Sequence, residues 1–404
     1  MDPVLTAAAR ALALFAPLEA LRGVALRNDA EALALRGVAM AQLGEFLRAR
    51  KLLARAARKF DEGSVARARC LAAEAEVALA CRDLAAAGKG LETAARLLDA
   101  AGDTTNATFV RLLTVRRMIL LGELAAAERA LRSLPLSKDG RLTTLTALAR
   151  AEIAVRSFRS ADAGTALVRA RAAARSTKIA SLVAEVEHAA LQLEAPVARL
   201  IAPEGERLLT LAGVEALLDS GDLVIDGCRR ELRREKVVVS LATRPVLFAL
   251  ASVLGEAAPQ VASRDSLIRA AFGGKHANES LRARLRVELG RLRRVLATLA
   301  AIDARGDGFV MTPRRAARIH VLLPPEPGEA SALLGLLGGS ESWSTSALAA
   351  ALGWSQRTVQ RALGELHEAG RVRAFGQGRA RRWIAPPLAG FATTLLLVAR
   401  DGPQ

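Results

Sequence analysis

Leucines recur at steps of three and four through Leu281, Leu285, Leu289, Leu292, Leu296 and Leu299. That spacing predicts a helix over Ser280–Leu299 with one apolar stripe. At about 100° per residue, the opposite face carries Ala283, Val287, Gly290 and Arg294. Arg286 and Arg291 flank that face, and Arg282, Arg284 and Arg293 lie nearer the stripe. Such a helix is anchored along one side and basic elsewhere. Its small outer residues would let the backbone approach another surface closely, as a helix in a DNA major groove must. The competing reading is a solvated surface helix in an arginine-rich chain.

Residues 1–200 have another texture: Ala, Leu and Arg dominate, β-branched runs are few, and the apolar period is helical throughout. One turn recurs. Leu43-Gly44-Glu45-Phe46 precedes Ala49, Leu53 and Ala56; Cys81-Arg82-Asp83-Leu84 precedes Ala87, Leu91 and Ala94. Leu121-Gly122-Glu123-Leu124 precedes Ala127, Leu131 and Leu134, and Arg156-Ser157-Phe158 precedes Ala161, Thr165 and Val168. Counted from Gly44, Arg82, Gly122 and Arg156, the turns are 38, 40 and 34 residues apart. This array resembles tetratricopeptide repeats, whose period is ~34 residues. Gly37 falls at the small position of the first helix, while the bulky aromatic positions are mostly missing. The resemblance implies an α-solenoid that binds a peptide or partner protein, or that packs on a second copy or on the rest of the chain.

Near Pro203 the pattern shifts to short alternating runs. Asp222–Gly227 reads as a strand and turn, and Glu231–Leu241 as a strand pair. A helix opens at Leu241-Ala242-Thr243-Arg244-Pro245, with Thr243 as the expected N-cap. Ser263 caps a helix over Arg264–Phe272, the arginine-rich helix follows, and Ile302–Met311 forms a hairpin with Gly306 and Gly308 at its tip. Over Leu208–Val321 this order resembles the effector domain of the OmpR/PhoB response-regulator family. Val261-Ala262-Ser263-Arg264-Asp265-Ser266-Leu267 matches the start of that family's second helix, and Arg291-Leu292-Arg293-Arg294-Val295-Leu296 the end of its recognition helix. Arg305-Gly306-Asp307-Gly308-Phe309 matches its wing, with Phe for Tyr. The resemblance implies that Arg291 reaches base edges, that Arg293 holds phosphates, and that Arg305 probes the minor groove. Arg282, Arg284, Arg286 and Arg294 join this expected DNA-binding set. Glu288 is a departure, since an acid there repels phosphate or selects cytosine. No receiver domain with phospho-acceptor aspartates precedes this segment, so control by phosphorelay is not implied.

Beyond Pro324-Pro325-Glu326-Pro327-Gly328, read as a rigid linker, Ala330–Leu337 is a short apolar helix and Ser344–Leu363 reads as helix, glycine turn, helix. Ser344 and Ser355 fit as N-caps, and Trp343 and Trp354 as staples onto Leu348 and Val359. Val359, Ala362, Leu363 and Leu366 face inward, which leaves Arg357, Thr358, Gln360, Arg361 and Gly364 outward. Arg371–Phe375 and Ala380–Ile384 would pair around Gly376-Gln377-Gly378-Arg379 as a basic wing. The segment resembles a broad class of bacterial winged-helix regulators. That likeness implies DNA contact by Ser355, Gln356, Arg357, Thr358, Gln360, Arg361 and Arg379, although winged helices also serve as protein contacts.

The net charge of +17 over 404 residues suits a polyanionic partner. An Ala-, Leu-, Arg- and Gly-rich chain without tyrosine also carries the mark of a GC-rich genome, and the charge is spread evenly. Residues 1–200 hold 30 basic and 21 acidic side chains, residues 201–404 hold 28 and 20. Cys70, Cys81 and Cys228 form no CxxC pair, which implies a reducing compartment. His188, His276, His320 and His367 lie far apart, without metal-ligand spacing. The apolar tract Leu388–Val398 is too short to cross a bilayer. No GxxxxGK[ST], HExxH or GxSxG motif occurs.

These readings give a mainly α chain: an N-terminal tetratricopeptide-like α-solenoid and two small α+β winged-helix domains. The expected divisions are 1–200, 205–323, 328–386 and a tail from 387 to 404. The expected protein is a cytoplasmic, non-enzymatic transcription regulator without metal or cofactor. Its partners are double-stranded DNA and a protein or second copy held by the repeats, with no membrane and a homodimer as one outcome. The alternative is a scaffold or adaptor whose winged helices bind protein.

Overall fold

The computed structural model describes residues 2–80, 83–177, 179–202, 205–273, 279–314, 318–325, 328–337, 343–375, 378 and 381–384. Arg379, the tail 387–404 and part of the linker fall outside the described residues. The chain is mainly helical, with small sheets, and separates into two compact units.

Among the described residues the first unit is built of helices. It runs α1 (Pro3–Ala13), α2 (Pro17–Val24), α3 (Ala30–Gln42), α4 (Phe46–Lys59), α5 (Val65–Ala80) and α6 (Leu84–Ala100). Then come α7 (Thr104–Leu121), α8 (Leu124–Arg132), α9 (Gly140–Arg156), α10 (Ser160–Thr177) and α11 (Ala180–Glu194). From α1 to α9, neighbours in sequence pack on each other, as short connections require. The recurring turn has a recurring geometry. The Glu45 N–H donates to the Met40 carbonyl at 2.8 Å, Asp83 to Ala78 at 2.9 Å, and Glu123 to Met118 at 2.9 Å. Gly44 and Gly122 both take φ +82, the left-handed turn that ends a helix with least strain in glycine. The crossing residues Ala49, Ala87 and Ala127 are fully buried. A Cβ on Gly37 would sit 2.7 Å from Leu53 Cγ, so the first hairpin closes only over glycine.

The fourth turn differs from its sequence reading by two residues. Its positive-φ residue is Phe158 (φ +54), not Arg156. The buried series is therefore Ala163, Leu167 and Ala170, while Ala161, Thr165 and Val168 are exposed. Without a glycine to mark the turn, the alanine-rich sequence matches either register.

The second unit opens earlier than position 205. Strands β1 (Ala198–Ala202) and β2 (Gly205–Leu209) pair, and α12 (Leu211–Asp219) follows. Then come β3 (Leu223–Asp226), β4 (Glu231–Arg234), β5 (Val237–Ser240), α13 (Pro245–Ala257), β6 (Ala262–Ser263), α14 (Arg264–Phe272) and α15 (Glu279–Val295). Strands β7 (Ala300–Arg305), β8 (Gly308–Pro313) and β9 (Ile319–Leu323) complete this part. One six-stranded sheet runs β2-β1-β9-β3-β4-β5, and a small one runs β6-β8-β7. Strand β9 lies parallel to β3 and antiparallel to β1, so residues 198–202 are part of this sheet rather than of the helical array. Between the sheets, α13, α14 and α15 close a core of Ile225, Leu250, Leu267, Leu289, Leu292 and Met311. Helix α13 is capped by Arg244 without a side-chain bond, not by Thr243. Pro245 explains the shift, because a residue before proline is pushed out of the helical region.

The last segment holds α16 (Glu329–Leu337), α17 (Thr345–Leu352), α18 (Gln356–Glu368) and the antiparallel pair β10 (Arg373–Phe375) and β11 (Arg382–Ile384). Ser344 and Ser355 cap as expected, and Gly353 turns between the helices at φ +69. Trp343 and Trp354 pack on a core that includes Leu348 and Val359. Trp343 also exchanges both backbone hydrogen bonds with Trp383. This segment is packed on the preceding one, since α13 touches α17 and Arg230 donates to the Ala351 carbonyl.

Candidate nucleic-acid interface

Helix α15 is held by its leucine stripe: Leu285, Leu289, Leu292 and Leu296 are all buried. The opposite face is open. Ala283 is exposed, Val287 is 54% exposed, and a Cβ on Gly290 would meet nothing within 4 Å. Beside the helix stands the β7–β8 hairpin, which turns through Gly306 and Asp307 with Gly306 at φ +56. Gly308 is required for a different reason, because a Cβ there would lie 2.1 Å from the Ala262 carbonyl oxygen on β6. The two glycines thus form the tip and seat the hairpin against β6.

Along the flank of α15 nearer the hairpin runs a cleft of about 760 Å³. Arg264, Arg282, Arg286 and Arg293 line it, with Asp265, Glu279 and Asp307 among them. Glu279 receives Arg286 at 2.8 Å and lies 3.9 Å from Arg282. On the other flank, a cavity of about 500 Å³ lies between α15 and the start of α13, lined by Arg244, Glu288, Arg291 and Arg294. The Arg291 guanidinium donates to Glu288 at 2.8 Å. The exposed face is therefore bordered by arginine on both sides.

The individual arginines have distinct surroundings. Arg284 lies over the Phe272 ring at 4.7 Å, and Arg294 Nε reaches the Gly290 carbonyl at 3.4 Å. Arg293, expected to hold phosphate, spends its Nε–H on the Ile302 carbonyl at 2.6 Å and so joins helix to hairpin. Arg305 is exposed at the hairpin end, with no ion-pair partner among the described residues. Two arginines outside the expected set belong here. Arg264 reaches the Gly306 carbonyl at 3.4 Å, and Arg244 lines the opposite cavity. Arg264 stands directly after the Ser263 cap in the Val261–Leu267 motif, which is a readable signal; Arg244 joins the site only through tertiary packing.

On α18, Gln356, Arg357, Gln360 and Arg361 are exposed. Ser355 Oγ accepts from the Thr358 N–H at 3.1 Å and lies 2.9 Å from Thr358 Oγ1, so both hydroxyls take part in the cap. Arg361 donates to Glu329 of α16 at 2.6 Å and to Glu365 at 3.4 Å, which ties it to acidic neighbours. Arg379 lies outside the described residues.

No helix among the described residues is long and apolar enough to cross a membrane. No protein-family model matches the chain, and neither a curated protein nor a solved structure matches it.

Proposed function

We propose that this protein is a sequence-specific DNA-binding transcription regulator with two winged-helix segments, and that its repeats hold a protein partner or a second copy. The observation that carries this reading is α15. Its outward face is small or open at Ala283, Val287 and Gly290, with arginine on both flanks and the Arg305 hairpin beside it. A face of this kind can enter the major groove while flanking guanidinium groups take phosphate oxygens and the hairpin reaches the next groove. Helix α18 would offer Arg357 and Gln360 as a second, smaller reading face. The test is a gel shift against genomic fragments enriched by immunoprecipitation of the tagged protein. Charge reversal of Arg291 and Arg305 together should abolish sequence-selective retardation while the circular dichroism spectrum is unchanged. Unchanged retardation at moderate salt rules out the assignment.

A second reading, an adaptor whose helices bind protein, draws on the ion pairs of Arg286, Arg291 and Arg361 with Glu279, Glu288 and Glu329. It makes Arg291, Arg305 and Arg361 dispensable for DNA occupancy, so the same immunoprecipitation would give no peaks sharing a motif.

A further inference from the structure

Four helices of the first unit, α5, α7, α9 and α11, converge on one small cavity. Its walls are apolar, built from Phe109, Leu112 and Leu113 of α7 and Leu145 and Leu148 of α9. Its polar lining is Glu76, Arg116, Glu152 and Glu185, one residue from each helix. Glu76, Arg116 and Glu152 hold the same place in successive repeats, six residues ahead of Arg82, Gly122 and Phe158. The charges come to three carboxylates. Glu152 is matched by Arg156, whose Nη2 donates to it at 2.9 Å. Arg116 then faces both Glu76 and Glu185, so these two carboxyls share one cation. Glu76 is 2% exposed, and both its Oε2 and the Oε1 of Glu185 are buried and accept no hydrogen bond. Two orphaned acceptors among leucines weaken a core, so packing gives no reason for them.

We propose that this cavity is a binding site for a primary ammonium group, carried by a lysyl side chain or by a free alkylamine. The reading does not depend on the DNA assignment. The cavity measures about 20 Å³, room for about one water-sized group. An ammonium head has that size and carries three donors, whereas a guanidinium is a wider planar fork. The head alone fills that space, so the methylene stem of either source must run outside it. The described carboxylates are not arranged to hold a metal ion. Burial raises both the Glu76 and Glu185 carboxyls, Glu185 to about 7. An arriving cation favours their ionised forms, so binding near neutral pH must release protons.

The experiment uses the full chain with two probes, n-butylammonium chloride and the blocked tripeptide acetyl-Ala-Lys-Ala-amide. Calorimetry at pH 6.5 in two buffers of different ionisation enthalpy should show binding coupled to proton release. A lysyl source is indicated by tighter binding of the tripeptide, a free amine by tighter binding of n-butylammonium. Glu76→Gln and Glu185→Gln, checked by circular dichroism, should each weaken binding about tenfold or more. n-Butylguanidinium at the same concentration should not bind. The proposal is overturned if neither amine binds the wild type, if n-butylguanidinium binds equally well, or if folded Gln variants bind as the wild type does. Should the variants fail to fold, binding to the wild type without proton release overturns it as well.

Discussion

Arg293 in the last turn of α15 donates its Nε–H to the Ile302 carbonyl on β7 at 2.6 Å, and its guanidinium lies 5.8 Å from the centre of the Phe309 ring on β8. Arg264 lies over the same ring at 5.6 Å. The hairpin is thus fastened to the helix by one charged hydrogen bond and a shared ring. Arg293→Ala should lower unfolding free energy by about 1–3 kcal/mol, the cost of leaving the Ile302 carbonyl without its donor. Urea melts with an unchanged slope would read this loss. If Arg293 positions the hairpin, DNA affinities of the Arg293→Ala, Arg305→Ala and double variants should combine less than additively. Strict additivity would assign Arg293 its own DNA contact.

Glu288 restrains Arg291. The pair is 2.8 Å apart, with the Glu288 side chain 13% exposed and Arg291 56% exposed. An ion pair of this kind contributes up to about 1 kcal/mol. On the DNA reading proposed above, Glu288→Gln frees the guanidinium and removes a charge that would face phosphate. It should raise affinity for non-specific duplex up to about fivefold and narrow the gap between operator and random DNA. A variant with unchanged non-specific affinity would show that Arg291 does not reach the duplex.

Gly290 separates fold from recognition. Nothing lies within 4 Å of a Cβ built there, and the residue sits inside a helix. Gly290→Ala should therefore stabilise the protein by about 0.5–1 kcal/mol. On the DNA reading proposed above, the same methyl group would stand on the face that enters the groove, so DNA affinity should fall while the melting temperature rises. Both quantities rising together would place the reading face elsewhere.

How much of this could be read from the chain depends on the range over which each signal acts. The Ser263, Ser344 and Ser355 caps lie three residues from the N–H groups they bind, and Gly306 sits at the tip it forms. The alanine series of the first three turns was legible because Gly44 and Gly122 mark the phase. At the fourth turn Phe158 takes the left-handed place of a glycine, and the register slipped by two. Strand β2 carried almost no pattern, since Gly205 to Leu208 are exposed along an edge. The use of Arg293 on Ile302 and of Arg361 on Glu329 is set by packing across elements. Glu76 and Arg116 did have a sequence signal, a charge six residues ahead of the turn, but Glu152 joins that phase only in the register set by Phe158.

Buried carboxyls contribute to the response to pH, those of Asp226, Glu231 and Glu256 in the second unit as well as those of the first, where Glu185 is the case to follow. The Glu185 carboxyl is raised from 4.5 to about 7, chiefly by burial, with Arg116 opposing and Glu152 reinforcing. Folded Glu185 therefore binds its proton more tightly than the unfolded chain does. The stability this gives is fully present below pH 4.5 and is lost as pH rises through about 7. The shift corresponds to roughly 3 kcal/mol, and Glu76, raised by burial as well, acts in the same direction. Asp103 and Asp222 are held below 3.8, so their contributions are lost only in more acid solution and do not overlap this window. Urea unfolding at pH 5 and pH 8 should show the wild type weaker at pH 8. Glu185→Gln should be the more stable protein at pH 8 and show a smaller difference between the two pH values. An equal pH dependence in wild type and variant would mean that Glu185 titrates as an ordinary solvated carboxylate.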